Sequence, residues 1–158
     1  TGILEENAKN NEGKNSISLF GVDKEAGMNG TAAIYRHTFS WQEFEEKVCG
    51  EKLAFMENNF NFSGADDGER LTIGKTAVYN LMGLLDDTGY DGRFNLARFA
   101  YTVARMEPGN KASEIQKCRY EQIREKLYLW AKNSQERKQL LTAMNLLVYK
   151  LRETNTEE

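Results

Sequence analysis

Leu140-Leu141-Thr142-Ala143-Met144-Asn145-Leu146-Leu147-Val148-Tyr149-Lys150-Leu151 is the stretch that decides the architecture of this chain. Wound at about 100° per residue, its apolar side chains cover most of a helix circumference and leave too little polar surface for a wet face. Such a helix has to be central in its own fold or covered by a partner. Asn133-Ser134 just upstream breaks the chain and caps this helix. A central helix needs other helices around it, and the preceding sequence supplies them.

Ser113 and Gln116 form a capping box at the head of a helix carrying Ile115, Cys118, Ile123, Leu127 and Trp130. Before it, a helix is expected from about Phe94 to Met106, ended by Pro108-Gly109. Thr72 can cap another, in which Ile73, Ala77, Leu81, Leu84 and Leu85 share an apolar face and Lys75, Tyr79 and Asp86 the other, with Gly89 as its stop. Ser40 and Glu43 box the first, where Trp41, Phe44 and Val48 recur at helical spacing; it runs toward Asn59 and is strained at Gly50. The glycine-rich stretch 61–70 reads as a loop. The fold expected is therefore all-α: a compact bundle of about five helices over residues 40–152. Residues 1–39 read as an irregular arm, with one β-prone run at Ser16-Ile17-Ser18-Leu19-Phe20, that orders against a partner, and 153–158 as a disordered acidic tail.

With 158 residues, 40% hydrophobic and 28% charged, and a mean hydropathy of -0.67, the chain has the composition of one soluble domain. No apolar run approaches the roughly 18 residues a bilayer span needs. The opening Thr1-Gly2-Ile3-Leu4-Glu5-Glu6 is no secretory signal, so the expected location is cytoplasmic. Cys49 and Cys118, with His37 as the single histidine, are too few and too far apart for a zinc site, and both read as reduced, partly buried thiols.

No motif demands an enzyme, and neither a cofactor nor a metal is expected. Asp87-Thr88-Gly89-Tyr90-Asp91-Gly92-Arg93-Phe94 imitates a calcium loop, but its third ligand position is Gly89 and its twelfth is Arg98, so it reads as a turn between helices. Asp66-Asp67 in a glycine-rich loop reads as a solvated acid pair, and His37 as a surface or turn residue. Phosphate-binding, dinucleotide and nucleophile-elbow signatures are missing from the sequence.

Charge is where the sequence becomes specific. Residues 1–97 hold 9 Lys+Arg against 16 Asp+Glu, whereas 98–152 hold 12 against 5. A net charge of -3 thus conceals a cationic half able to meet a polyanion. Within Arg98-Phe99-Ala100-Tyr101-Thr102-Val103-Ala104-Arg105, seven helical steps bring Arg98 and Arg105 to nearly one azimuth with Tyr101 between them. Two guanidiniums bracketing a phenol suit a nucleic-acid backbone and a stacked base; the same spacing suits salt bridges to a neighbouring protein helix. Lys117, Arg124 and Tyr128 line a second polar face, while Arg119 and Lys126 fall inside an apolar arc, where they must snorkel or meet a partner. Two readings stand on these residues: an RNA-binding module, and a helical adaptor whose basic face meets an acidic protein.

Three of these stretches also resemble a known family. Leu71-Thr72-Ile73-Gly74-Lys75, Arg98 to Arg105, and Ala143-Met144-Asn145-Leu146-Leu147-Val148-Tyr149 are similar, in order and approximate spacing, to the helices of the small subunit of type III CRISPR effector complexes, the Csm-type small subunit. That resemblance implies a non-catalytic subunit of a ribonucleoprotein for antiviral defence, with copies of itself stacked along a backbone filament. It would help form the groove for the guide RNA–target RNA duplex, beside backbone and large polymerase-like subunits. Lys75, Arg98, Tyr101 and Arg105 are the RNA-binding residues it implies. Charge and helix geometry add Lys117, Arg119, Arg124 and Lys132.

Overall fold

The computed structural model describes residues 2–10, 15–20, 23–27, 30–34, 37–65, 67–86 and 94–153. Its elements are α1 (Gly2–Asn10), β1 (Ser16–Ser18), β2 (Asp23–Gly27), β3 (Gly30–Ile34), β4 (Thr38–Ser40), α2 (Trp41–Glu43), a π-helical segment Phe44–Leu53, α3 (Ala54–Asn59), β5 (Phe60–Asn61), β6 (Leu71–Thr72), α4 (Lys75–Asp86), α5 (Leu96–Ala104), α6 (Glu114–Lys132) and α7 (Ser134–Glu153). The strands form three two-stranded ladders: β1 antiparallel to β4, β2 antiparallel to β3, and β5 parallel to β6. The fold is helical, as the periodicity requires.

α7 lies at the centre. From Gln139 to Met144 six consecutive residues are buried, and Leu147 and Val148 extend that burial one turn further. The helix packs on the π segment, α4 and α6, and α5 bridges α4 to α6. Asn133 caps it, accepting from the amides of Gln135 (2.9 Å) and Glu136 (3.1 Å). Its remaining side is closed by the chain's own N-terminal part: Phe39 is 2% exposed, and His37 Nδ1 lies 2.8 Å from Thr142 Oγ1. Phe20, in the left-handed region at φ 59°, stacks on Tyr149 at 5.5 Å and meets His37 edge-on at 5.2 Å. The apolar side chains of α7 from Leu140 to Val148 are therefore buried or half-buried within the chain, while Tyr149 stays 52% exposed. The N-terminal residues expected to be irregular carry α1 and β1–β4 over their described parts, and Asn7 Nδ2 joins α1 to Ser18 (2.8 Å) and Thr38 (3.0 Å).

Helix starts follow the sequence with one exception. Ser40 accepts from Glu43 N (3.1 Å), and Ser113 and Gln116 make both halves of their box. Thr72, expected to cap α4, lies in β6, and α4 begins three residues later because Leu71 and Ile73 are buried beside β5 as extended chain. Strain expected at Gly50 is absorbed by a wider helix: the Glu45 carbonyl passes so near that a Cβ on residue 50 would sit 3.0 Å from it.

On α6 the expected apolar face holds at Ile123, Leu127 and Trp130 but not at Ile115 and Cys118. Gln116, Tyr120, Ile123, Leu127 and Trp130, spaced 4-3-4-3, are buried, whereas Ile115 is 56% exposed and Cys118 is exposed. Cys118 is thus not the partly buried thiol expected; Cys49 is, with burial and the charges of Glu45 and Glu57 raising its pKa. Tyr120 supplied the decisive phase, donating from its hydroxyl to the Ala104 carbonyl at 3.2 Å.

The π segment delivers one unusual group to the core. Lys52 is fully buried, its ammonium 2.6 Å from Glu136 of α7, 3.5 Å from Glu51 and 5.0 Å from the centre of the Trp130 ring. The Lys52–Glu136 contact is close but off the direction of a hydrogen bond, so it is an ion pair held by charge. Burial pushes the Glu51 carboxyl up, but the charges of Lys52 and Lys47 outweigh it and hold its pKa below the usual carboxylate range. Glu51's contribution to stability is therefore complete above about pH 4.3 and is lost as pH falls through the lower folded value.

Two substitutions test this pair. Glu136→Gln leaves a buried ammonium without its nearest counter-charge and is expected to lower the unfolding free energy by about 3 kcal/mol. Lys52→Met removes the buried charge, retains stem volume and leaves a carboxylate that reaches water, so it should cost about half of that or less. Urea titration of both variants gives the order; a larger loss for Lys52→Met contradicts the assignment.

Candidate nucleic-acid interface

α5 sorts its side chains by helical phase. Phe99 (0% exposed) and Val103 (3%) enter the core, which turns Arg98, Tyr101 and Arg105 outward. Asn95 fixes the start of the helix by accepting from Arg98 N at 3.0 Å, and Thr102 donates to the Arg98 carbonyl at 3.0 Å. Together with the outer face of α4, these residues line a groove of about 670 Å³. Arg98, Tyr101 and Arg105 form the α5 wall, Tyr79 and Asn80 the α4 wall, and Ala77 and Gly83 bring little bulk to α4's side. Tyr101 is 64% exposed and Tyr79 42%. α5 contains no acidic residue, and the single acid of α4 is Asp86 at its last position.

The other residues singled out by sequence are divided from this group. Lys75 opens α4 and donates to the Leu151 carbonyl (3.2 Å), closing the end of α7. Lys117 pairs with Glu114 (2.8 Å), and Arg124 pairs with Glu121 while lying 5.9 Å from the Tyr120 ring centre. Arg119 donates to Asn59 Oδ1 (3.0 Å) and so holds α6 to α3, meeting a partner within its own chain. Lys126, also expected to need one, is exposed over the Trp130 ring at 5.9 Å. Lys132 lies over Tyr128 at 4.8 Å, and Arg124 and Tyr128 line a smaller hollow of about 260 Å³ between α5 and α6. Acids three residues before Lys117 and Arg124 neutralise much of the outer face of α6. α5 itself carries no acid at such a spacing.

Sequence reasoning placed Tyr79 on the polar face of its helix but missed it as part of the site. Its hydroxyl accepts from Arg152 Nη2 at 2.8 Å, and Arg152 in turn lies 5.5 Å from the Tyr149 ring centre. The available signal was its four-residue offset from Lys75, together with the pair Tyr149 and Arg152 three apart at the end of the chain.

Other candidate chemistry dissolves into structure. Asp67 accepts from the amides of Glu69 (3.0 Å) and Arg70 (2.8 Å) and from the Arg70 guanidinium (2.7 Å). These bonds lower its carboxyl to about 2 and make it the closure of a turn. Its neighbour Asp66, and 87–93 of the calcium-like loop, lie outside the described residues. No group of three or more His, Cys, Asp or Glu able to hold a metal occurs among the described residues. Among them, too, no helix is long and apolar enough to cross a membrane.

Residues 54–153 match the family described as the second helical domain of the Cmr2 subunit of the CRISPR RNA silencing complex. The chain is also similar to three proteins named CRISPR system single-strand-specific deoxyribonuclease Cas10/Csm1 (subtype III-A). The relative from Streptococcus thermophilus is 33% identical over 153 residues, 96% of this chain and 17% of that protein. The one from Mycobacterium tuberculosis is 31% identical over 156 residues (99% and 16%), and that from Enterococcus italicus 27% over 155 (98% and 16%). This chain thus spans 16–17% of the length of these relatives. The similarity is to the large Cas10 subunit of type III CRISPR systems, not to the small subunit that the motifs suggested.

The groove wall at Gly83 is open: a Cβ built there meets nothing within 4 Å. Gly83→Ala is therefore expected to raise stability by about 0.5–1 kcal/mol, the usual gain from replacing glycine inside a helix. A thermal melt that falls would show that α4 packs at this position against something else.

Proposed function

Because this chain belongs to the family of the second helical domain of the Cmr2 subunit of the CRISPR RNA silencing complex, we propose that it is the helical domain of a Cas10-type large subunit, and that it contributes a nucleic-acid-facing surface rather than chemistry. On this reading it works in the cytoplasm inside a type III effector assembly, among backbone subunits and RNA. The small-subunit role, with several copies stacked along a filament, is the finer alternative; the match of 54–153 to a domain of a larger subunit favours ours.

One observation carries the RNA-facing part: Arg98, Tyr101 and Arg105 share an exposed groove wall on a helix without an acidic residue. Guanidiniums read phosphate through paired N–H donors, and an exposed phenol ring offers a face to a base. Beside apolar Ala77, Leu84 and Met106, the polar side chains of the groove among the described residues are guanidinium, phenol, amide and hydroxyl, suited to holding a strand. An acidic protein partner for the basic half remains the competing occupant, and charge reversal distinguishes the two.

Arg98→Glu with Arg105→Glu, introduced into the assembled effector complex, should leave subunit composition unchanged and weaken RNA capture. The slope of log affinity against log salt should become shallower by about 1.4, from about 0.7 counterion for each of two single-strand phosphates. Native mass spectrometry reads assembly and filter binding reads the RNA. Loss of the subunit with RNA affinity unchanged means that these arginines bridge proteins.

A further inference from the structure

The shape and chemistry of the α4–α5 groove specify more than a phosphate-binding patch. Tyr101 is the most exposed large apolar side chain among the described residues, at 64%, and it stands on a rigid helix between two arginines. A ring so placed gains by covering its face, and in a duplex the base faces are already covered by stacking on each other. Only an unpaired base has a face to offer.

The rest of the groove fits such a base. Its volume of about 670 Å³ falls within the range of about 300–1,000 Å³ typical of pockets that enclose small organic ligands. Gly83 removes bulk from the α4 side, with nothing within 4 Å of its absent Cβ. Asn80 on the same wall carries an amide that both donates and accepts, the pairing that base edges use. The second ring, Tyr79, is held in place by the Arg152 guanidinium on its hydroxyl. Tyr149 is already stacked on Phe20 and approached by Arg152, so it is not counted as a platform. Arg98 and Arg105 are seven residues apart, about 10 Å along the helix, the axial rise of about three stacked nucleotides.

We propose that this groove takes unpaired nucleotides of a single strand, with a base lodged against Tyr101 over the open side of Gly83 and the flanking phosphates on Arg98 and Arg105. The proposal rests on the nucleic-acid reading of the same site and deepens it by excluding duplex as the ligand.

The test measures binding of a fluorescent oligouridylate and of the same strand annealed to its complement, on the full chain and on the assembled complex, for four proteins. Wild type should bind the single strand at least about tenfold more tightly than the duplex. Tyr101→Ala should weaken single-strand binding about 5- to 150-fold, the effect of losing one base stack, and leave duplex binding unchanged. Gly83→Phe should obstruct the groove and weaken single-strand binding without lowering the melting temperature. Arg98→Glu with Arg105→Glu should weaken both ligands. Equal affinity for single strand and duplex, or indifference to Tyr101→Ala and Gly83→Phe while the arginines still matter, overturns this proposal and spares the RNA-facing reading. Binding of neither ligand, to chain or to complex, overturns both.

Discussion

A helix with apolar side chains on nearly every side can persist in water only if every side is covered, and α7 imposes that demand on the rest of the chain. The π segment, α4 and α6 take three sides, and Phe39, His37 and Phe20 close the remainder. This explains why residues before the first capped helix are drawn into the fold: without them Thr142 and its neighbours would face water. The positive φ of Phe20 belongs to the same arrangement, since that residue places its ring between His37 and Tyr149.

The same constraint positions the groove. α4 packs directly on α7 and α5 is suspended between α4 and α6, so α5 turns one face to the core and the other outward. Arg98, Tyr101 and Arg105 are on that outward face because Phe99 and Val103 must be on the inner one. The buried Lys52–Glu136 pair acts at the opposite end of α7, joining its first turn to the π segment. It is a costly way to join two helices, since desolvating an ammonium opposes much of the Coulomb gain.

Much of this was legible in the residues. The Ser40 cap, the Ser113 capping box, the apolar pattern of α7 and the outward stripe on α5 are local properties, fixed by spacing alone, although the Glu43 carboxylate expected to complete a box at Ser40 is taken by Gln135 and Gln139. What escaped was set by contacts distant in sequence. On α6 Ile123, Leu127 and Trp130 were legible, but in its first half Gln116 and Tyr120 are buried where Ile115 and Cys118 were expected, with Gln116 closing the Ser113 box and Tyr120 reaching the Ala104 carbonyl. Arg119 was read as an RNA contact, and its guanidinium lies on Asn59, sixty residues away. Lys75 likewise meets the Leu151 carbonyl, a partner invisible before the chain folds. The groove was half visible: the α5 wall came from a helical repeat, whereas the α4 wall required knowing which helix is adjacent. The motifs identified the type of complex, but their resemblance to a small subunit reflected short helical patterns, and only similarity over nearly the whole chain separated one subunit of that system from another.

α7 is the organiser, and the α4–α5 groove is the surface that results from it, proposed above to face nucleic acid. Ultraviolet crosslinking of RNA within the assembled effector complex, followed by peptide mapping, tests that most directly. Crosslinks on this domain should concentrate on peptides spanning residues 75–83 and 98–105. Crosslinks confined to the salt-bridged outer face of α6, or RNA that crosslinks elsewhere in the complex and never to this domain, would contradict it.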